Sequence, residues 1–308
     1  DYCWCERSYA PWSDFEKELR ENGLPLYALE SGDPLGDFDI VGFTLQYELS
    51  YSNVVNMLEL SGIPVFAADR GEDYPIIIGG GPCTYNPEPV ADFFDVFAIG
   101  EGEYMLTEFC ALYRDCRKKG MKKSEILRLA SHLDGFYVPS LYDVAYNSDG
   151  TINAVIPKYD DVPPVVTKRI VEDLDSAPFP TDFPVPYLET VHDRVTVEVF
   201  RGCIRGCRFC QAGMVYRPYR EKSSDSINAC AMASCRNTGY NEISLSALSI
   251  SDYSEIDKLV DKLLSWTENE KISLSLPSMR IDAFYEELMK KVMSVRKSGL
   301  TFAPEAGT

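Results

Sequence analysis

The sequence has no run of about 18 apolar residues, the length a helix needs to cross a bilayer, and no charged segment leading into a shorter apolar stretch. Neither a membrane span nor an export signal is therefore expected, and the chain reads as cytoplasmic. Cations are scarce too: 30 Lys and Arg stand against 48 Asp and Glu, a formal charge of −18. So acidic a chain repels nucleic acid and anionic membranes, leaving a local basic patch as the way to hold an anion. Ten cysteines are too few for a disulfide framework in 308 residues, and three of them crowd together, which in a reducing compartment points to metal or redox chemistry. The chain begins at Asp1 rather than at a methionine, so residues before it are expected. What is present is the ordinary apolar and charged share of a globular protein, long enough for two domains.

Residues 1–120 alternate strand-like and helix-like stretches. "DFDIVGFTL" (37–45) is an apolar run with β-branched residues, and "YSNVVNMLELSG" (51–62) carries Val54, Val55 and Leu58 at helical spacing with Gly62 as its stop. "PIIIGGG" (75–81) and "DVFAIGEGE" (95–103) are further strands that end in glycines. From Glu103 a helix is expected to bury Leu106, Phe109, Cys110 and Tyr113 and to stop at Gly120. Such alternation predicts a parallel sheet with helices on both faces. Ligands of these sheets sit at the carboxyl ends of the strands, where Gly79, Gly80, Gly81, Gly100 and Gly102 fall. An edge strand is expected near "DYCWCERSYAPW" (1–12), with one of Cys3 and Cys5 in the core and the other at the surface. Cys83, Cys110 and Cys116 read as small buried apolar residues.

Residues 121–193 read as a connector. It holds an amphipathic helix (Ile126, Leu129, Ala130, Leu133), a hairpin turning at Asn147-Ser148-Asp149-Gly150, and "SAPFPTDFPVPY" (176–187), whose four prolines no regular helix tolerates. Residues 194–308 return to strand–helix order as the first four strands of a partial (β/α) barrel. Strand "RVTVEVF" (194–200) enters the cysteine loop and a helix from Ser223 to Asn237 follows. It carries Cys230 and Cys235 on different faces, a poor arrangement for a shared metal. Strand "EISLSAL" (242–248) precedes a helix with Ile256, Leu259, Val260, Leu263 and Leu264 on one face. "KISLSLP" (271–277), "DAFYEELMKKVMSVRKSG" (282–299) and "LTFAP" (300–304) are a third strand, third helix and fourth strand. A last parallel strand with no partner leaves a bare edge, so a capping element or further chain is expected beyond Thr308.

"RGCIRGCRFCQAG" (201–213) spaces Cys203, Cys207 and Cys210 as C-x-x-x-C-x-x-C. Structural zinc takes four protein ligands, and His192, eleven residues before Cys203 and across a strand, is the available fourth. A four-iron cluster also normally takes four cysteines; three leave one iron with an open position. This spacing, with Phe209 before the third cysteine and directly after the first strand of a βα series, resembles the signature of the radical S-adenosylmethionine (SAM) superfamily. The resemblance implies that Cys203, Cys207 and Cys210 hold a [4Fe–4S] cluster whose fourth iron is chelated by the amino and carboxylate groups of SAM. It further implies reductive cleavage of SAM to a 5′-deoxyadenosyl radical, with electrons from a donor such as flavodoxin or ferredoxin. Phe209 then packs near the adenine. Further SAM contacts are expected from Ser246 and Ser249 in "SLSALSISDY", which replaces the family's usual Gly-Gly-Glu. Others are expected from Ser278 and Arg280 after the third strand, Arg being able to pair a carboxylate through two N–H bonds, and from Glu305 after the fourth. The competing reading is a non-catalytic module in which zinc or a fully ligated cluster stabilises a partner-binding fold.

Gly79-Gly80-Gly81-Pro82 and Gly100-Glu101-Gly102-Glu103, with "FDIVGFTLQYELS", resemble the Rossmann-like cobalamin-binding domain that precedes many radical SAM enzymes. That resemblance covers about residues 35–118 and implies cobalamin as a candidate third cofactor, approached through glycines that lack a Cβ. The Asp-x-His-x-x-Gly motif that brings histidine to cobalt in many such domains is absent; His132 and His192 are the two histidines. Methyl transfer to an unreactive carbon is the leading reaction if cobalamin binds; rearrangement or methylthiotransferase-like sulfur insertion is open if it does not. Arg201, Arg205, Arg208, Arg217 and Arg220 crowd around the cysteines. Either they pair with acids elsewhere or they draw in an anionic substrate. The substrate itself is not legible.

Overall fold

The computed structural model of the chain describes residues 3–188, 190–280, 290–292 and 302–303, and it divides into two units, Asp1–Ile170 and Val171–Thr308. In the first unit the apolar runs become β1 (Ile40–Thr44), β2 (Ile76–Gly80) and β3 (Val96–Ala98), parallel and in that order, with β4 (Phe136–Tyr137) added antiparallel to β3. Ile76, Ile77, Ile78 and Gly79 are all buried, as a strand covered on both faces must be. Helices α1 (Ser13–Asn22), α2 (Tyr51–Leu60), α3 (Gly102–Lys118) and α4 (Lys123–Ala130) belong to the same unit. Gly62 follows α2 at a φ of 68°, the stop expected from the sequence. The hairpin forms as β5 (Tyr142–Tyr146) and β6 (Ile152–Pro157), turning through Gly150 at a φ of 82°.

Three sequence expectations change here. Helix α3 buries Met105, Phe109 and Cys116, whereas Leu106 is exposed and Cys110 only half-buried. The stripe is turned because Met105 occupies the space beside Gly135, where a Cβ would stand 2.2 Å from the methionine Cε. In α4 the buried apolar residues are Ile126, Leu127 and Ala130, with Leu129 exposed. Residues 3–12 form no strand, and Cys3 and Cys5 are both exposed. Side-chain bonds rather than a sheet ladder fix this stretch: Glu6 accepts from the Ser31 N–H at 2.9 Å and Oγ at 2.7 Å, and Arg7 Nε donates to Glu30 at 2.6 Å.

In the second unit β7 (Val195–Glu198) leads through a two-residue strand β8 (Phe200–Arg201) into the cysteine loop. The loop contains α5 (Ala212–Val215) and returns as β9 (Arg220–Glu221), antiparallel to β8. Helix α6 (Ser224–Thr238) is capped by Ser223, whose Oγ accepts the Ser226 N–H at 3.2 Å, and ends at Gly239 with a φ of 77°. Strand β10 (Glu242–Ser246), helix α7 (Ile256–Glu270) and strand β11 (Ser273–Ser275) complete a parallel sheet of order β11-β10-β7. All five apolar residues expected on the inner face of α7 are buried. The expected fourth strand is present as β13 (Phe302–Ala303), but it pairs with β12 (Met279–Arg280), and no closed barrel is formed among the described residues. The expected third helix lies, except for residues 290–292, outside the described residues, as does Glu305. No described helix is long and apolar enough to cross a membrane.

The amino edge of the first sheet is closed by buried charge. Asp95 accepts the Ile77 N–H at 2.8 Å and pairs with Arg70 Nε at 3.2 Å and Lys123 Nζ at 3.1 Å. Burial pushes both cations below their ordinary pKa values, and the Asp95 charge opposes that push. Asp95→Ala would leave two buried cations without their carboxylate. It is expected to destabilise the first unit by about 3–5 kcal/mol, read from urea denaturation.

Candidate metal centre

Parallel pairing places the carboxyl ends of β7, β10 and β11 on one edge, and the cysteine loop grows from that edge. At its base Phe200 faces Glu221 and Arg201 faces Arg220. Two like charges opposite each other repel unless each has a partner. Arg201 is held by Glu198, with Nε–Oε1 at 2.9 Å and Nη2–Oε2 at 2.8 Å, while Arg220 donates to the carbonyls of Pro218, at 3.2 Å, and Val171. Gly202 has a φ of 85°, and a Cβ there would stand 2.7 Å from the Pro218 carbonyl oxygen and 2.9 Å from that of Tyr216. Only glycine lets the outgoing and returning strands approach so closely.

Cys203, Cys207 and Cys210 are half-buried, and no cysteine of the chain is in a disulfide. The Arg205 N–H donates to Cys203 Sγ at 3.4 Å, Arg280 Nη1 lies 3.9 Å from Cys207 Sγ, and the Cys210 N–H donates to the Cys207 carbonyl at 3.1 Å. Among the described residues no three His, Cys, Asp or Glu side chains gather around a point where one metal ion would sit. A cluster makes a different demand, since each thiolate binds its own iron. The donor set fits it: three thiols on one short loop, with N–H donors toward two of the sulfurs.

Of the expected SAM contacts, Arg280 is brought to Cys207. Ser249 lies after β10, buried, and its hydroxyl has no hydrogen-bond partner among the described residues; the Ser251 hydroxyl is in the same condition. An unspent buried hydroxyl fits a polar ligand. Phe209 is 75% exposed, Ser246 is exposed at the end of β10, and Ser278 is exposed with a φ of 58°, a conformation uncommon outside glycine. His192 Nδ1 lies 3.1 Å from Arg194 Nη2.

Sequence reasoning missed Asp252. Its carboxylate takes a two-pronged bond from Arg205, Nε at 2.8 Å and Nη2 to the other oxygen. Hydrogen bonding from Arg205 holds Asp252 below the usual carboxylate range, against burial, aided by the charges of Arg205 and Arg280. A signal was there: five arginines in a loop of an acidic chain need acids nearby, and "SISDY" supplies one beside the serines.

In the first unit the five candidate glycines separate into two kinds. Gly79 is a packing residue, since a Cβ would stand 2.9 Å from the Phe97 ring. Gly81 and Gly100 have φ of 104° and 124°, and a Cβ would meet the Leu45 carbonyl oxygen at 2.8 Å or that of Arg169 at 2.2 Å. Residue 169 bridges Gly100 in parallel, with the Glu101 N–H donating to its carbonyl at 3.0 Å. Around Gly80 and Gly102 nothing lies within 4 Å of a Cβ. A cavity of about 350 Å³ lies elsewhere, along β1 and α2, lined among others by Tyr9, Phe38, Phe43, Asn53 and Met57.

Residues 1–139 match the family described as "Radical SAM proteins, N-terminal", and residues 197–308 match the "Radical SAM superfamily". The chain belongs to the radical SAM superfamily. An uncharacterised protein of Methanocaldococcus jannaschii is 27% identical to this radical SAM chain over 294 residues, 94% of the chain and 55% of that protein. The radical SAM methyltransferase TsrM of Kitasatospora setae, solved with cobalamin and a [4Fe–4S] cluster, superposes with a TM-score of 0.55 at 13% identity, covering 95% of this chain and 52% of that one. A second TsrM structure, with tryptophan and aza-SAM, gives a TM-score of 0.50 at 14% identity, covering 95% and 51%. The likeness to TsrM is one of fold, and the chain spans about half the length of these relatives.

Thiol reactivity should separate the cysteines. Burial pushes Cys235 up to about 11, so at pH 8 about one thiol in a thousand is thiolate. Cys110 is also raised to about 11, by burial and by neighbouring Cys3 and Cys5. Alkylation of the metal-free chain at pH 8 is expected to label exposed Cys3 and Cys5 first and Cys235 last, read by peptide mass spectrometry.

Proposed function

We propose that this chain is the SAM-cleaving part of a radical enzyme, with Cys203, Cys207 and Cys210 as the three thiolate ligands of a [4Fe–4S] cluster. The observation that carries the reading is the cysteine loop: three half-buried thiols between β8 and β9, with N–H donors from Arg205 and Arg280 toward two of the sulfurs. The cluster would supply one electron, received from a reduced donor such as flavodoxin or ferredoxin, to cleave SAM to methionine and a 5′-deoxyadenosyl radical that takes a hydrogen atom from substrate. The chain's own residues bind and orient. Arg280, beside Cys207, reaches the SAM carboxylate as a charged donor. The buried Ser249 hydroxyl is available to its amino or carboxylate group. The exposed Phe209 ring covers the adenine and keeps water from the radical. Ser246, Ser278 and Glu305 complete the SAM contacts on this reading.

Methyl transfer supported by cobalamin is the reaction we assign first. The shared fold with TsrM supports it, and Gly80 at the end of β2 and Gly102 at the start of α3 are open to an approaching cofactor. One observation keeps the cobalamin-free reading: Gly79, Gly81 and Gly100 are accounted for by the chain's own packing. An anionic substrate would be drawn by exposed Arg208, and by Arg217, which is exposed although its Nε donates to the Gly213 carbonyl, rather than by Arg201 and Arg205, which are held by Glu198 and Asp252.

Anaerobic reconstitution tests the assignment. About four irons per chain, a cluster spectrum that responds to SAM and 5′-deoxyadenosine after reduction are expected, and Cys203→Ala, Cys207→Ala or Cys210→Ala should each abolish the product. Tight zinc with no such product would favour the non-catalytic module instead. For cobalamin, Gly80→Val fills open space in a strand where valine is well tolerated. It is expected to lower cobalamin retention about tenfold, the cost of about 1.4 kcal/mol of lost contact, at an unchanged melting temperature. A wild-type chain that retains no cobalamin would remove methyl transfer and leave SAM cleavage standing.

A further inference from the structure

The cysteine loop needs an anchor that its own backbone does not provide. Between β8 and β9 the one helix is α5, four residues long, and all three thiols precede it. Arg205, between Cys203 and Cys207, reaches out of the loop to Asp252 in the turn after β10. The carboxylate is 5% exposed, and a planar fork on a carboxylate fixes orientation as well as distance. Because the Arg205 N–H also donates to Cys203 Sγ, the anchor and a thiol contact belong to one residue.

Asp252 is itself secured. Its N–H donates to the Ser249 carbonyl at 2.9 Å, and its carbonyl accepts from the Tyr219 hydroxyl at 3.1 Å. Tyr219 sits at the returning end of the loop, its one hydroxyl proton shared between that carbonyl and the Glu221 carboxylate, which in turn accepts the Ser254 N–H at 2.8 Å. Both ends of the loop are thus tied to the same short turn. On the other side Arg280, whose Nη1 lies 3.9 Å from Cys207 Sγ, adds its charge to the field around the Asp252 carboxylate.

We propose that Asp252 is the positioning residue of the cysteine loop: through Arg205 it fixes the placement of Cys203, and it offsets the cationic charge that faces Cys207. The proposal rests on the reading that the trio holds an iron–sulfur cluster. Its two parts have separate signatures. Loss of the anchor loosens the ligands and speeds loss of iron. Loss of the negative charge alone leaves Arg205 and Arg280 less offset beside the thiolates; this favours the reduced, more negative cluster and raises its midpoint potential.

The test uses the full chain, reconstituted anaerobically, with iron release to a chelator and the midpoint potential as readouts. Asp252→Ala and Arg205→Ala are expected to release iron about tenfold faster or more, the scale on which groups that orient metal ligands act. Combining them should cost no more than either alone. Asp252→Asn keeps the shape and should hold iron nearly as well while its potential moves positive. Iron release and potential equal to wild type in both Asp252 variants overturn the proposal. Should Asp252→Ala not fold, Asp252→Asn and Arg205→Lys, which keep the volume, decide it by the same readouts. Should wild type take up no cluster, the enzyme reading fails, and the anchor is judged on the metal-free chain by trypsin. Faster cutting after Arg205 and Arg208 in Asp252→Ala than in Asp252→Asn and wild type supports it, and equal rates in all three overturn it.

Discussion

Three cysteines on an irregular loop keep their places only if the loop is held from outside, and that constraint organises the second unit. A backbone without a helix or ladder has many conformations to lose, so each external tie removes entropy that a bound group would otherwise have to remove. The ties are few and specific: the β8–β9 pair at the base, the close pass at Gly202, and the fork from Arg205 to Asp252. The fork lies between a nearly buried carboxylate and a partly exposed guanidinium, so it is less screened than a surface pair and avoids the full desolvation cost of a buried one.

The first unit separates charge from open backbone. Asp95 with Arg70 and Lys123 seals the amino edge of its sheet, where the carbonyl of Pro75 also accepts from Lys123 Nζ at 3.1 Å. The opposite edge carries the glycines, and it is the edge at which parallel sheets receive ligands. That edge is only partly open. The chain around Arg169 runs beside Gly100 and uses its missing side chain, and Phe97 uses that of Gly79. Glycine at a strand end therefore marks close approach of something, and in these places the something is the protein itself.

Much of this was legible in the sequence because short-range physics decides it. The buried strand 76–80, the α7 stripe, the Ser223 cap and the Gly150 hairpin turn all follow from periodicity and local backbone preference, and the cysteine spacing carried the family. What was not legible depended on partners distant along the chain. Met105 displaced Leu106 from the core because Gly135 left room for it, and residues 3–12 were fixed by Glu30 and Ser31 rather than by a ladder. Asp252, forty-seven positions after Arg205, announces itself only once β7 and β10 are side by side. The serines of "SISDY" drew notice by analogy, while the acid beside them had the stronger physical claim.

The β8–β9 pair has one more consequence. Because the segment departs and comes back through neighbouring residues, the sheet beneath it does not register how long or how shaped the excursion is. The cysteine loop is in effect a cassette for the sheet: the scaffold can go on folding when its length or sequence is altered, while the residues that tie it down, Gly202 and Arg205, have to be kept for the thiols to stay in place.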